Sequence, residues 1–316
     1  ALGSFTGSIG YNGITVVVIP IVTYFSWVFT GKYVESQSGW TCFGIIVGLL
    51  GLLTAWTVAF GTKENESALR SKAQKNGNPI EAFKAIFQND QLLWVALSYL
   101  LYAIANVATT GVLIFLFKFI LDNQAAYSLT GVIALVAGLV MAPLYPILNK
   151  RIPRRYLYIG GMISMIAGYV MLGIFSDNII MVFVALVLFY VPGTLIQMTA
   201  ILSLTDSIEY GQLKNGKRNE AVTLSVRPML DKIAGACSNG IVGFIAVAAG
   251  MIGDATAADM TAANIGMFKV CAFYVPLGII VLSLLVFLFK VKITEKMHDE
   301  IVEELEAKLA SGEISE

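Results

Sequence analysis

Residues 179–204 read IIMVFVALVLFYVPGTLIQMTAILSL, a run without a single charged side chain. A helix needs about 20 apolar residues to cross the hydrocarbon core of a bilayer, and this run is long enough. Its apolar positions are continuous and do not alternate with polar ones, the pattern of a membrane helix and not of a barrel strand. Further stretches share the character, giving eight candidate spans at 5–29, 40–60, 92–118, 127–148, 156–175, 179–204, 223–250 and 267–289. Pro20, Pro143, Pro146, Pro192, Pro228 and Pro276 fall inside them, as membrane helices tolerate. The composition agrees: of 316 residues, 57% are hydrophobic and 13% charged, with a mean hydropathy of +0.76. A soluble chain this apolar lacks the polar groups to cover its surface. A net charge of 0 provides no basic face for nucleic acid.

The charges set an orientation. One set of loops holds only Lys32, Lys118 and Lys269. The other holds Lys63, Arg70, Lys72, Lys75, Lys84, Lys150, Arg151, Arg154, Arg155, Lys214, Lys217, Arg218, Lys290, Lys292, Lys296 and Lys308. The two sets alternate strictly around eight spans, so the positive-inside rule predicts a multi-pass protein of the cell membrane with both termini in the cytoplasm. The polar stretch 61–90 then lies on the cytoplasmic side. Ile80, Phe83, Ile86 and Phe87 recur there at helical spacing after Pro79, predicting an amphipathic helix on the membrane face. It divides the chain into two helices (1–60), a central loop (61–90), a six-helix bundle (91–290) and a tail (291–316). In the tail, Met297, Ile301, Leu305 and Leu309 form one stripe of a helix whose other face is acidic, read as a solvated tail or one that docks on another domain. The first residue is Ala and a span follows within a few residues, which predicts the C-terminal part of a longer membrane protein.

Histidine and cysteine chemistry is scarce. Cys42, Cys237 and Cys271 sit in apolar runs without metal or pairing spacing, and His298, in the charged tail, is the single histidine. No metal site and no cofactor are expected.

Polar stripes run through several spans, and such groups face a bundle interior, a neighbouring helix or a water-filled cavity. In the first span Ser4, Ser8, Tyr11, Asn12 and Thr15 share a side; in the third, Ser98, Tyr102, Asn106 and Thr109; in the sixth, Thr194, Gln197 and Thr205. Gly44 and Gly48 form a small-xxx-small pair, predicting close helix packing. The seventh span holds Arg227, Asp231 and Lys232. Arg227 and Asp231, four apart, are placed to pair. Ser225, Lys232 and Asn239 fall on one face beside Gly235 and Gly243, a narrow face with room for a ligand. The alternative for Lys232 is an amine that snorkels to the interface.

Between the sixth and seventh spans lies DSIEYGQLKNGKRNEAVTLSVRPMLDKIAG, residues 206–235. Asp206, Glu209, Tyr210, Gly211, Lys214, Gly216, Arg218, Glu220, Ser225, Lys232 and Gly235 resemble the hallmark of the glycoside–pentoside–hexuronide:cation symporters, a branch of the major facilitator superfamily. The stretch from Lys214 to Lys232 is most similar to the lactose- and raffinose-type galactoside carriers. The resemblance implies an all-α fold in which the eight spans correspond to the fifth to twelfth of twelve, so that the chain alone holds half of a binding site. It implies cation coupling at Glu220 with Lys214, Arg218, Asp206 and Glu209 around it, and a cavity-lining Lys232. Tyr102, Asn106, Gln197, Ser225 and Asn239 join Lys232 as candidate sugar contacts.

The partners so implied are a small sugar, a coupling H⁺ or Na⁺, the lipid bilayer and a regulatory domain beyond the tail. Two positions depart from the pattern: Lys217 stands where lactose-type carriers have His, and Gln197 where melibiose-type carriers have an aromatic. The physical logic points the same way. A neutral polyhydroxylated substrate needs amide, hydroxyl and aromatic partners, and coupling needs a carboxylate neutralised by a cation. The rival reading is a lipid or other small-molecule symporter of the same superfamily. A membrane enzyme is disfavoured, since no span holds a histidine and neither HExxH nor Gly-x-Ser-x-Gly occurs. A channel or sensor lacks a visible pore ring or signalling domain.

Overall fold

The computed structural model describes residues 18, 20–33, 36–61, 87–216, 220–253 and 255–311. All regular structure among the described residues is helical. The described residues fall into two compact units, one within 6–78 and the other within 79–316. In the first, helix α1 (20–30) is followed by α2 (Gln37–Gly61). Gly31, at φ 71, makes the turn after α1, and the Ser36 hydroxyl accepts the Gly39 N–H at 3.2 Å at the start of α2. Gly39 packs on Val22, whereas Gly44 and Gly48 have nothing within 4 Å of a Cβ added to them. The close packing expected at that pair is not made among the described residues.

The second unit holds α3 (Asp90–Phe115, prolonged by a π turn, Leu116–Ile120), α4 (Ser128–Asn149), α5 (Arg154–Ile174), α6 (Ile179–Asn215), α7 (Glu220–Ala248), α8 (Ala262–Lys290, with a π turn at Val270–Tyr274) and α9 (Glu295–Ala310). Among the described residues, seven helices, α2 to α8, are long and apolar enough to cross a membrane. They overlap seven of the eight predicted spans. Most of the span expected at 5–29, its stripe Ser4, Ser8, Tyr11, Asn12 and Thr15, and most of the amphipathic segment at 61–90 lie outside the described residues.

Without water in the bilayer, each backbone group freed by a proline needs another partner. Pro192 leaves the carbonyl of Leu188 without its helical N–H, and Ser164 of α5 donates to it at 3.2 Å. Pro276 does the same to Ala272, whose carbonyl accepts the Thr109 hydroxyl of α3 at 3.3 Å. Thr109 Oγ1 also lies 2.9 Å from the Tyr169 hydroxyl, which donates to the Ala105 carbonyl at 3.0 Å. About three turns earlier on α3, Ser98 Oγ is 2.9 Å from the Tyr158 hydroxyl and donates to the Ser283 carbonyl at 3.0 Å, while Ser283 returns a bond to the Ser98 carbonyl at 2.6 Å. The α3 stripe is thus split. Ser98 and Thr109, both 0% exposed, are glue between helices, and only its middle remains available for a site. Tyr158, Tyr169, Phe117, Phe189, Phe268 and Phe273 fill the core around these bonds.

α6 is longer than its predicted span. At about 1.5 Å per residue it reaches some 55 Å, well beyond the roughly 30 Å of a hydrocarbon core. The signature segment is therefore helical from Asp206 to Asn215, and Gly216, at φ 69, ends it in the left-handed conformation. The tail departs from the expectation of a solvated helix. α9 packs on α6, and Ile301 and Leu305 are each only 6% exposed, because Glu295 and His298 bind groups on α5 and α6.

Candidate functional site

At the middle of the six-helix unit, α3 and α7 lean together through a polar contact. The Tyr99 hydroxyl of α3 donates to Asp231 Oδ1 of α7 at 2.7 Å. On α7, Arg227 Nε stands 3.9 Å from Asp231 Oδ2, and the two side chains are 33% and 42% exposed. The pairing expected from their spacing exists as a charge contact. It is not a hydrogen bond, since 3.9 Å is beyond bonding range and the buried Nε has no partner among the described residues. A charge at bilayer depth costs about 2.5–3.5 kcal/mol on insertion scales; here Tyr99 and Arg227 offset part of that cost for Asp231.

Beside this contact, Tyr102 stacks at a tilt against Tyr99, ring centroids 5.8 Å apart. The Tyr102 hydroxyl donates to the Gly193 carbonyl of α6 at 3.3 Å and accepts from Asn106 Nδ2 at 2.9 Å, with Gln197 alongside. Tyr102 is only 1% exposed, so it positions Asn106 and α6 from inside the wall. Asn106 is half-buried and Gln197 exposed. On α7, Ser225, Lys232 and Asn239 are all exposed, as their shared face predicts, and Ser225 donates to the Val222 carbonyl at 2.7 Å. Added Cβ atoms at Gly235, Gly240 and Gly243 would meet nothing within 4 Å. This is an open, small-residue surface bearing hydroxyl, amide, amine and carboxylate groups: the set that hydrogen-bonds a neutral polyol.

The signature segment occupies a different place, one end of the bundle. Arg154 at the start of α5 is the hub. Its Nη1 lies 2.7 Å from Asp206 Oδ2, and its Nε is 3.2 Å from Glu295 Oε1 of α9, which also accepts the Arg154 backbone N–H at 3.0 Å. His298 Nε2 sits 3.6 Å from Glu209 and 3.9 Å from Asp206. Lys214 pairs with Asp90, whose Oδ1 also accepts from Tyr210 at 3.0 Å. Asn89 donates to the Ser207 carbonyl at 2.7 Å and caps α3 by accepting the Leu92 N–H at 3.0 Å. Arg155 donates to the carbonyls of Leu288 and Val291 at 2.7 and 2.8 Å, satisfying the end of α8.

The structure therefore separates the predicted site residues. Asn106, Gln197, Ser225, Lys232 and Asn239 lie on open surfaces of α3, α6 and α7, with Tyr102 behind them. Asp206, Glu209 and Lys214 join α3, α5, α6 and α9. Glu220 opens α7 and is exposed; Arg218 lies outside the described residues. Sequence reading missed Tyr99, which falls off the stripe it counted, although 99, 102 and 106 follow a helical i, i+3, i+7 pattern. It also missed Asp90, Arg154 and Glu295 as partners of the signature, since their sequence separation from it carries no local signal.

Comparison with known proteins places the chain in a family. Residues 2–295 match the family of MFS/sugar transport proteins. The chain is 52% identical over 312 residues to a lactose permease of Leuconostoc lactis, covering 99% of this chain and 48% of that protein. It is 46% identical over 314 residues to a lactose permease of Lactobacillus helveticus (99% and 49%). It is 36% identical over 299 residues to a raffinose carrier protein of Pediococcus pentosaceus (95% and 46%). The chain spans about half the length of the curated relatives it matches. With its long apolar helices and the polar wall they carry, this is a multi-pass membrane protein, and the chain belongs to the sugar-transport family of the major facilitator superfamily.

Proposed function

We propose that the chain is part of a secondary active sugar transporter that carries a galactoside such as lactose or raffinose together with H⁺ or Na⁺ by alternating access. Its eight spans correspond to the fifth to twelfth of a twelve-helix carrier, with both termini cytoplasmic. The observation that carries this reading is the open polar face of α3, α6 and α7, where Asp231 is held by Tyr99 within apolar membrane helices. Such groups at that depth are costly unless they serve a solute path. The names of the relatives point to the class of solute, and their being permeases and carriers supports transport over enzymology.

Asn106, Gln197, Lys232 and Asn239 are the sugar-facing groups, Ser225 flanks them, and Tyr102 positions them. Glu220, at the mouth of α7, is the coupling carboxylate. Asp206, Glu209 and Lys214 serve it indirectly, by fixing the end of α6 from which the segment to Glu220 departs. Counterflow of radiolabelled lactose in membrane vesicles holding the complete carrier tests the reading: lactose and raffinose are expected to exchange, and imposed pH or Na⁺ gradients to reveal the coupling ion. Vesicles that exchange no galactoside but move a lipid-like solute would favour the rival symporter. Glu220→Gln is expected to spare exchange while reducing gradient-driven accumulation at least tenfold. Equal loss of both would remove Glu220 from coupling.

A further inference from the structure

On the polar wall, Asp231 is anchored by a side-chain hydrogen bond from a neighbouring helix. Its Oδ1 receives the Tyr99 hydroxyl at 2.7 Å, which sets the carboxylate plane. Arg227 stands on its other side at 3.9 Å, too far to occupy Oδ2 with a hydrogen bond. A carboxylate accepts about four hydrogen bonds, and one is made here among the described residues. The side chain is 42% exposed, so the carboxylate is open to a solute as well as to its two neighbours. Lys232, by contrast, is exposed and makes no side-chain hydrogen bond or ion pair among the described residues, and Glu220 lies three helical turns away at the start of α7.

We propose that Asp231 is a specificity-determining residue of the transport site, whose free oxygen accepts one ring hydroxyl of the sugar while Tyr99 and Arg227 act as positioning residues. This rests on the sugar-transport reading above and deepens it. A hydroxyl donating to a carboxylate makes a charge-assisted bond, stronger than one to an amide. A carboxylate already fixed loses little freedom when it binds. Because the acceptor is fixed in direction, it discriminates between epimers: a hydroxyl turned to the other ring face leaves Oδ2 desolvated and unpaired, which costs affinity.

The test is displacement of a radiolabelled galactoside from the complete carrier by methyl β-galactoside and its monodeoxy series. The native carrier is expected to lose affinity for one particular deoxy sugar. Asp231→Asn should weaken the parent sugar by roughly 10- to 100-fold and abolish the contrast at that same hydroxyl. Tyr99→Phe, which removes only the O–H, should give a several-fold loss with a reduced contrast at the same position, and it serves if Asp231→Asn fails to fold. An unchanged deoxy profile in the variants overturns the proposal, whether their overall affinity falls or not. So does a loss of cation dependence with the sugar profile intact. A native carrier that binds no galactoside refutes the transport reading itself, an outcome distinct from these.

Discussion

Individual side chains at the basic end of the bundle carry more than their sequence position shows. Gly211 faces Asn89 so closely that an added Cβ would lie 2.6 Å from Nδ2. Asn89 has no room to yield, because it is 3% exposed, bonds the Ser207 carbonyl and caps α3. Gly211→Ala is expected to break that cap and cost about 1 kcal/mol, read as an earlier thermal melt of the detergent-solubilised carrier. Asp206 is a stronger case. It is 12% exposed and paired to Arg154, itself 14% exposed, so Asp206→Asn leaves a largely buried guanidinium with Glu295 alone. Removing one partner of such a pair costs on the order of 3 kcal/mol. The thermal melt should fall well below that of Gly211→Ala, and Arg154→Leu in the same background should add little further loss. A full additive loss from the second change would show that the two residues act independently.

At the scale of elements, α9 shows how a helix that reads as solvated becomes part of a core. Its sequence has an apolar stripe of only a few residues among acids, and nothing local says what covers it. The cover comes from α6: Ile301 and Leu305 bury against it, while Glu295 and His298 reach Arg154, Asp206 and Glu209. Burying such an aliphatic side chain contributes about 1.5–3 kcal/mol, so one substitution should release the helix. Ile301→Asp is expected to expose residues 295–311 to limited proteolysis while α3 to α8 stay protected. Cleavage no faster than in the parent would mean that the Glu295 contact holds the tail alone. The same contrast governs what was legible elsewhere. The spans α2 to α8 were readable because an apolar run of sufficient length has one stable solution in a bilayer. Residue partnerships such as Tyr99–Asp231 or Lys214–Asp90 were not, because they depend on how helices rotate and slide against one another. The end of α6 was misplaced for a related reason: polar Asp206 to Asn215 looks like a loop when apolarity is the criterion, yet these residues satisfy their backbone as helix and their side chains on α3, α5 and α9.

For the whole molecule, the polar contacts at one end of the bundle fix the relative direction of its helices. The start of α3 meets the end of α6 through Asn89 and Ser207; the start of α5 meets the end of α8 through Arg155 and Leu288. Gln91 accepts the Lys292 N–H at 2.7 Å just past α8. Arg154, Arg155, Lys214, Lys290 and Lys292 therefore gather at this end, while Lys118 and Lys269 lie toward the other ends of α3 and α8. The charge asymmetry noted along the sequence is thus an asymmetry in space, and from it the positive-inside rule predicts that this end faces the cytoplasm. The prediction is checked by cysteine labelling in whole cells, after Cys42, Cys237 and Cys271, all free thiols, are replaced by Ser. Gln37→Cys and Asp259→Cys should react with a membrane-impermeant maleimide added outside. Asp259 caps a short 3₁₀ turn between α7 and α8, where Thr256 holds its carboxyl below the usual carboxylate range, and it is exposed, so reagent access is unhindered. Lys75→Cys and Lys150→Cys should react only after the cells are opened. One span separates Gln37 from Lys75, two separate Lys75 from Lys150 and three separate Lys150 from Asp259, so a single missing or extra helix between neighbours would break the expected outside–inside–inside–outside pattern. Labelling of Lys150→Cys from outside, with Asp259→Cys protected, would reverse the whole topology. Labelling of Gln37→Cys and Lys75→Cys from the same side would instead remove α2 from the membrane and leave the six-helix bundle as the spanning part.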